Sequence, residues 1–297
     1  MDNKFLIIRS RPHGFFSIFF HTIDNIKWAE DNGFIPVVSW GPGRSVLEFK
    51  EQKNYFLQQS DTAFLKECLY KDRDTENPWL SFFKPVSNYD LGDIPPKSTV
   101  LESDIFQAED FLIDNLRNYY PLKIWNVLGT NLFIKNRVFI KEDIREQIDF
   151  FIKKYFVDNM LGIHVRGTDK AKEQIEGGLF SGRLMIDDYI LEAKKYINKF
   201  PEAKIFIASD NNETIATFMS VFTPKKIVVS KSLRMKSYKS SVPVHLSGNC
   251  NVATGIEVLK DMYLLNKTRK LICTDSNVAA AALFFNKDLE YKFMGAK

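Results

Sequence analysis

From residue 159 onward the chain alternates short apolar runs with longer amphipathic ones, and this alternation restricts the fold more than any other feature. The pattern predicts strands over 160–165, 203–208, 226–229 and 270–273, and helices over 187–199, 211–220, 251–266 and 277–286. Strands that alternate with helices form βαβ units and a parallel sheet, here a three-layer domain. The start of the chain has the same form. A strand over 5–8, a loop over 9–14, a helix over 16–32 closed by Gly33, and a strand over 34–40 make a second doubly wound beginning. Between them, Gly41-Pro42-Gly43-Arg44 reads as a turn and 45–100 as irregular with helical pieces, broken at Pro85, Pro95 and Pro96. Residues 104–117 and 141–156 read as helices. The expected division is a first domain over 1–140 and a second over 141–297.

At 297 residues, 45% hydrophobic and 26% charged, the chain has room for two ordinary domains. Its 26 Phe predict large buried aromatic clusters, and only Trp79 is put forward as a face on which a sugar would stack. With 41 basic against 37 acidic residues, the net charge of +4 does not suggest a nucleic-acid partner. Lys225, Lys226, Lys231, Arg234, Lys236 and Lys239 form a local basic stretch, either a solvated loop or a face toward a membrane or anionic glycolipid. Cys68, Cys250 and Cys273 have no metal-binding spacing and fit a reducing compartment. No secretory signal is read at the start, and the apolar run 15–20 is too short to span a bilayer. The expected location is cytoplasmic, with peripheral attachment to the inner membrane left open.

The most chemically specific segment is LGIHVRGTDK (161–170). An apolar strand ends abruptly in His164 and Arg166, and Asp169 and Lys170 follow in a polar loop. In open α/β sheets ligands bind outside the carboxyl ends of the strands. A guanidinium there, always charged and planar, suits a phosphate or diphosphate. The structural alternatives are an Arg–Asp ion pair and a satisfied histidine. Other phosphate and nucleophile signatures are missing: there is no GxGxxG after the first strand, no Walker pattern and no G-x-S-x-G elbow. A metal-dependent transferase would want Asp-x-Asp after a strand. Ser209-Asp210-Asn211-Asn212-Glu213 has one carboxylate too few at that spacing, so Asp210 or Asn211 is read as a helix cap and no metal site is expected.

HVRGTDK (164–170) resembles the HxRxxD signature of the α1,6- and α1,2-fucosyltransferases and their relatives, the rhizobial nodulation enzymes among them. KIFIASD (204–210), DMYLL (261–265) and LICTDSN (271–277) agree with that family in order and spacing, so the resemblance covers about 155–285. Before residue 140 the match is only in general character. The resemblance implies the GT-B arrangement, two doubly wound Rossmann-like α/β domains facing a cleft, the first on the acceptor side and the second binding the donor. It also implies inverting, metal-independent transfer of fucose from GDP-fucose to a hydroxyl of a glycan or glycolipid, with no cofactor besides the donor; a bacterial surface polysaccharide is the expected acceptor because no stem or membrane anchor is read in the sequence.

Carried onto this chain, the resemblance makes Arg166 the ligand of the leaving pyrophosphate and places His164, Asp169 and Asp210 in the donor site. It sets Thr274, Ser276 and Asn277 against the β-phosphate, where a helix terminus offers free N–H groups; the alternative is that Thr274, Asp275 or Ser276 simply caps that helix. Asp261 would accept from guanine, or else pair with Lys267 or Arg269. Glu173 would be the general base with Lys170 nearby, although Glu173 is one residue closer to the signature than the family pattern predicts, and Glu176 lies farther out. His13 in the first loop is a competing base, and Gly14 beside it would let backbone approach a ligand. Gly167 stands where many relatives carry a second arginine, which leaves the linkage and the sugar open. Two further readings remain: a transferase of another GDP-sugar, and a non-catalytic nucleotide- or glycan-binding module.

Overall fold

The structure is a computed structural model, and it describes residues 3–10, 13–41, 69–103, 124–166, 186–235, 250–274 and 276–294. The chain is mixed α/β, with every named strand in one of two parallel sheets. It divides into two compact units, each made of several stretches of the chain. The first holds Met1–Asn118, Ile134–Lys141 and Asn251–Gly255, the second Tyr119–Phe133, Glu142–Cys250 and Ile256–Lys297. The sequence pattern, by contrast, suggests one cut near residue 140.

The first unit is built on β1 (Lys4–Arg9), α1 (Phe15–Asp31), β2 (Ile35–Ser39), the short α2 (Trp79–Phe82) and β3 (Thr99–Glu102). Its sheet has the order β2-β1-β3, with Phe5 beside Ile35 on one side and Val100 on the other. β1 buries four consecutive residues, Phe5 to Ile8, as a parallel strand paired on both edges does. β2 lies at an edge of the sheet, where Pro36, which has no N–H to donate, is tolerated. Gly33 terminates α1 with φ of 72°, and the Phe34 N–H donates to the Ala29 carbonyl at 2.8 Å while Gly33 donates to Glu30 at 3.2 Å. This is the paired bonding of a Schellman motif, and its left-handed residue favours glycine. β3 is an element the sequence pattern does not suggest, because it is largely exposed and begins three residues after Pro96.

Part of the phenylalanine content packs this unit's core. Phe15 meets Phe82 edge-on at 4.9 Å, Trp40 meets Trp79 at 5.2 Å, and Trp79 meets Phe83 at 4.3 Å. The sugar-stacking role expected of Trp79 is therefore corrected. Its ring is fully buried among aromatics and its indole N–H donates to the Lys84 carbonyl at 3.1 Å.

The second unit carries α3 (Ile124–Arg137) in part, then α4 (Glu142–Tyr155), β4 (Leu161–Val165), α5 (Ile186–Lys199), β5 (Ile205–Ser209), α6 (Asn212–Val221), β6 (Ile227–Val228), α7 (Val252–Asn266) in part, β7 (Lys270–Cys273), α8 (Asn277–Phe285) and β8 (Glu290–Phe293). Sheet order is β6-β5-β4-β7-β8. β4 and β5 are buried along their whole length. The chain first winds outward from β4 through β5 to β6, then returns to the other side of β4 through β7 and β8. The reversal of winding falls at the β4–β7 pair, where an open parallel sheet leaves a crevice at its strand ends. β8 and α3 are not expected from sequence; the expected helix over 104–117 lies outside the described residues.

Gly255, in the first turn of α7, illustrates how tightly the aromatic core is filled. A Cβ there would stand 2.5 Å from Cζ of Phe82 and 3.3 Å from Cε2 of Phe15, both rings fully buried. Alanine is ordinarily about 1 kcal/mol better than glycine inside a helix. Here overpacking against two rigid rings outweighs that gain. Gly255→Ala is expected to lose roughly 1–3 kcal/mol in urea denaturation, and Phe82→Leu in the same chain should recover part of the loss; a stabilised G255A would contradict the packing.

Candidate functional site

The site is built at the reversal of winding in the second sheet. His164 is the fourth residue of β4 and is 6% exposed. Its Nδ1 lies 3.2 Å from the Ala208 carbonyl on β5, and its Nε2 lies 2.8 Å from Oγ of Ser276 at the start of α8. Burial, with a smaller push from Arg166, lowers its pKa from 6.5 to about 4, against the opposing pull of Asp210 and the Ala208 bond. The ring is therefore neutral near pH 7. A carbonyl only accepts, so Nδ1 carries the proton and Nε2 accepts from the Ser276 hydroxyl. The Ser276 oxygen is left to accept the Val278 N–H at 3.2 Å, which makes Ser276 the N-cap of α8. One imidazole thus joins two adjacent strands to a helix terminus.

Around this clamp lie several of the expected donor-site residues. Arg166 follows β4 directly, half-buried, close enough for its charge to act on His164. Thr274 and Asn277 flank the α8 terminus, half-buried. Asp210 follows β5, and its carboxylate acts on His164 in the opposite sense to Arg166. Of the two residues expected to cap α6, Asn211 is the one that does so, accepting from Glu213 N–H at 2.7 Å. The arrangement offers a cation, a capped helix terminus and small hydroxyl side chains at one set of strand ends. Such groups bind anions, phosphates above all. Among the described residues, no three His, Cys, Asp or Glu side chains gather into a group able to hold a metal ion.

Asp261 on α7 is buried, and the expected alternative of pairing with Lys267 or Arg269 is overturned. Its oxygens accept from serine hydroxyls instead: Oδ1 from Ser230, and Oδ2 from Ser232 at 2.9 Å. Arg269 lies over the Phe200 ring, 5.4 Å from its centroid. Burial raises the Asp261 pKa from 3.8 to about 6, opposed by the two serine bonds and Arg234. Sequence reasoning missed Ser230 and Ser232 because they sit in a stretch whose evident feature is basic charge. Arg234, counted in that basic stretch, spends its guanidinium on backbone carbonyls.

His13 and Gly14 belong to the first unit, past the end of β1. Gly14 is the extended residue before α1, and its carbonyl accepts the Ser17 N–H at 2.9 Å; His13 is half-buried. At the same strand end Arg9 donates from Nη1 to Ser39 Oγ at 3.1 Å and from Nη2 to Glu102 Oε1 at 2.8 Å, tying the ends of all three strands. Asp169, Lys170, Glu173 and Glu176 lie outside the described residues.

Stability against pH reports on the two perturbed groups with opposite signs. His164 is depressed, so its contribution is present above pH 6.5 and is lost as pH falls toward 4. Asp261 is raised, so its contribution is present below pH 3.8 and is lost as pH rises through 6. Asp261→Asn removes the second effect alone. In urea melts the variant should exceed wild type at pH 7 by up to about 3 kcal/mol, with the advantage gone by pH 4; an advantage independent of pH would contradict a buried, ionising Asp261.

No protein-family model and no curated protein matches the sequence. Solved structures do match. A NodZ alpha-1,6-fucosyltransferase soaked with GDP-fucose is similar at a TM-score of 0.55 and 15% identity, over 96% of this chain and 93% of that one. A variant of Arabidopsis thaliana FUT1 in complex with GDP is similar at a TM-score of 0.52 and 12% identity, over 99% of this chain and 70% of that one. POFUT1 in an apo form reaches a TM-score of 0.50 and 11% identity over 100% of this chain and 99% of that one. This chain, with its two parallel sheets and the strand-end cluster around His164, has the fold of the GT-B fucosyltransferases.

Proposed function

We propose that the protein transfers fucose from GDP-fucose to a hydroxyl of a glycan or glycolipid, a bacterial surface polysaccharide being the expected acceptor. The observation that carries this reading is the convergence of Arg166, the Ser276-capped terminus of α8 and buried His164 at the strand ends of the second sheet, in the fold of fucosyltransferases whose structures hold GDP or GDP-fucose. Chemically, an acceptor oxygen bonds to the anomeric carbon as that carbon's bond to the β-phosphate oxygen breaks. The hydroxyl proton passes to a base and GDP departs with the electron pair. A single displacement inverts the anomeric configuration. Charge developing on the pyrophosphate is met by Arg166 and by the α8 N–H groups, fixed donors that need no reorganisation as the reaction proceeds. Glu173 takes the proton, assisted by Lys170, in preference to His13. Asp261 accepts from the two adjacent N–H groups of guanine and so selects the nucleotide.

Two measurements test this. Thermal unfolding with GDP, UDP, CDP and ADP, each with and without EDTA, should show selective stabilisation by GDP that EDTA leaves unchanged, about 2.7 kcal/mol at a hundredfold excess over Kd. Stabilisation by UDP, or only with added metal, would refute the donor assignment. Stabilisation by GDP without transfer to any acceptor would indicate a binding module. Arg166→Ala should fold as wild type yet lose roughly a hundred- to a thousandfold in turnover of the donor; wild-type turnover would remove Arg166 from the site.

A further inference from the structure

The segment that leads from β6 toward α7 is folded around one guanidinium. Arg234 donates from Nε to the Ser209 carbonyl at the end of β5 (3.1 Å), from Nη1 to the Ser232 carbonyl (3.1 Å) and from Nη2 to the Ser230 carbonyl (2.9 Å). Three backbone oxygens thus converge on a rigid planar fork that lysine cannot reproduce. Neighbouring bonds hold the same segment from its other side. The Leu233 N–H donates to Glu257 Oε2 at 2.8 Å, and the Met235 N–H donates to the Asp210 carbonyl at 2.8 Å. Glu257 and Asp261 stand one turn apart on α7, so both carboxylates face the segment.

The backbone held in this way aims two hydroxyls at Asp261, Ser230 at one oxygen and Ser232 at the other. An ionised carboxylate has about two acceptor directions on each oxygen. Each serine occupies one, which leaves one on each oxygen and stops the group from rotating. The two oxygens, held in this way, remain a pair of acceptors on one carboxylate. That pair complements a base edge carrying two adjacent N–H donors and is half wasted on an edge carrying one.

We propose that Arg234 is a positioning residue for nucleobase selection: by fixing Ser230 and Ser232 it orients Asp261 so that guanine, with its N1–H and 2-amino group, is preferred over hypoxanthine, which lacks the amino group. This rests on the GDP-sugar reading above. Arg234 itself touches no base; it acts through the two serines. The basic residue that looks from sequence like part of a charged surface loop is therefore structural in its contacts and functional in its consequence.

Calorimetric titration of the full chain with GDP and with inosine diphosphate tests the inference. Wild type should prefer GDP by roughly ten- to a hundredfold, the worth of one hydrogen bond to a charged acceptor. Arg234→Gln should weaken GDP while leaving inosine diphosphate nearly unchanged, reducing the preference to within about threefold. Arg234→Lys should fail to restore it. Ser232→Ala, a smaller change, should halve or more the preference on its own and keeps the test valid if R234Q unfolds. Equal weakening of both nucleotides in the variants, or a preference that survives both substitutions, overturns the inference alone. Wild type that binds neither nucleotide overturns the donor reading and this inference together, so the two failures are told apart by the wild-type titration.

Discussion

The imidazole of His164 is the joint on which the carboxyl end of the second sheet depends. β4 is the central strand, and at its carboxyl end this one ring bonds β5 through Nδ1 and the α8 cap through Nε2. Burial keeps it neutral, and neutrality assigns the two nitrogens opposite roles: a protonated ring could not accept from Ser276. The cap, the α8 terminus and the exit of the chain toward Arg166 are therefore set by a proton that desolvation holds away. In water the same histidine would titrate near 6.5 and the joint would loosen in mild acid. In the folded chain that transition is displaced to about pH 4.

The first unit solves the same geometric problem with a different residue. Where β1 ends, between β2 and β3, Arg9 spans the three strands with bonds to Ser39 and Glu102, and its backbone N–H donates to Ser103 Oγ at 3.0 Å. In both units a parallel strand paired on two sides carries, at or next to its last residue, a polar side chain that ties its neighbours together. The difference lies in the surroundings. A carboxylate faces the Arg9 guanidinium, whereas burial holds the His164 ring neutral against the pull of Asp210.

Asp261 shows what it costs to bury a carboxylate among hydroxyls. The carboxylate is buried, and two serine hydroxyls offset only part of the desolvation, so its pKa stays near 6. A nucleobase donating two N–H groups would supply what the protein withholds, favouring the ionised form. Under the proposed function, stability surrendered in the unliganded protein would be returned on binding, with the segment around Arg234 holding the two serines against the carboxylate. Sites commonly depart from the most stable local choice in this way.

Much of the architecture was legible in the chain because it rests on local patterns. The apolar runs ending at Arg9 and Val165, the amphipathic stretches behind α4 and α5, and Gly33 after α1 each obey rules of period and capping that need no neighbour. The strand-end placement of His164 and Arg166 follows from the same rules. Elements that exist only through their partners were not legible. β3 lies exposed beside two prolines and β8 is a four-residue edge strand, and each is a strand because β1 or β7 supplies its hydrogen bonds. Nor could spacing tell that Trp79 is core, since an aromatic stacks as readily on other rings as on a sugar. The sequence by itself determined two parallel α/β units and a cationic strand end. Only the tertiary structure decided that His164 is neutral, that Asp261 answers to serines rather than to a basic residue, and that Arg234 holds backbone rather than solvent, because each depends on burial and on partners 25 to 112 residues away in the chain.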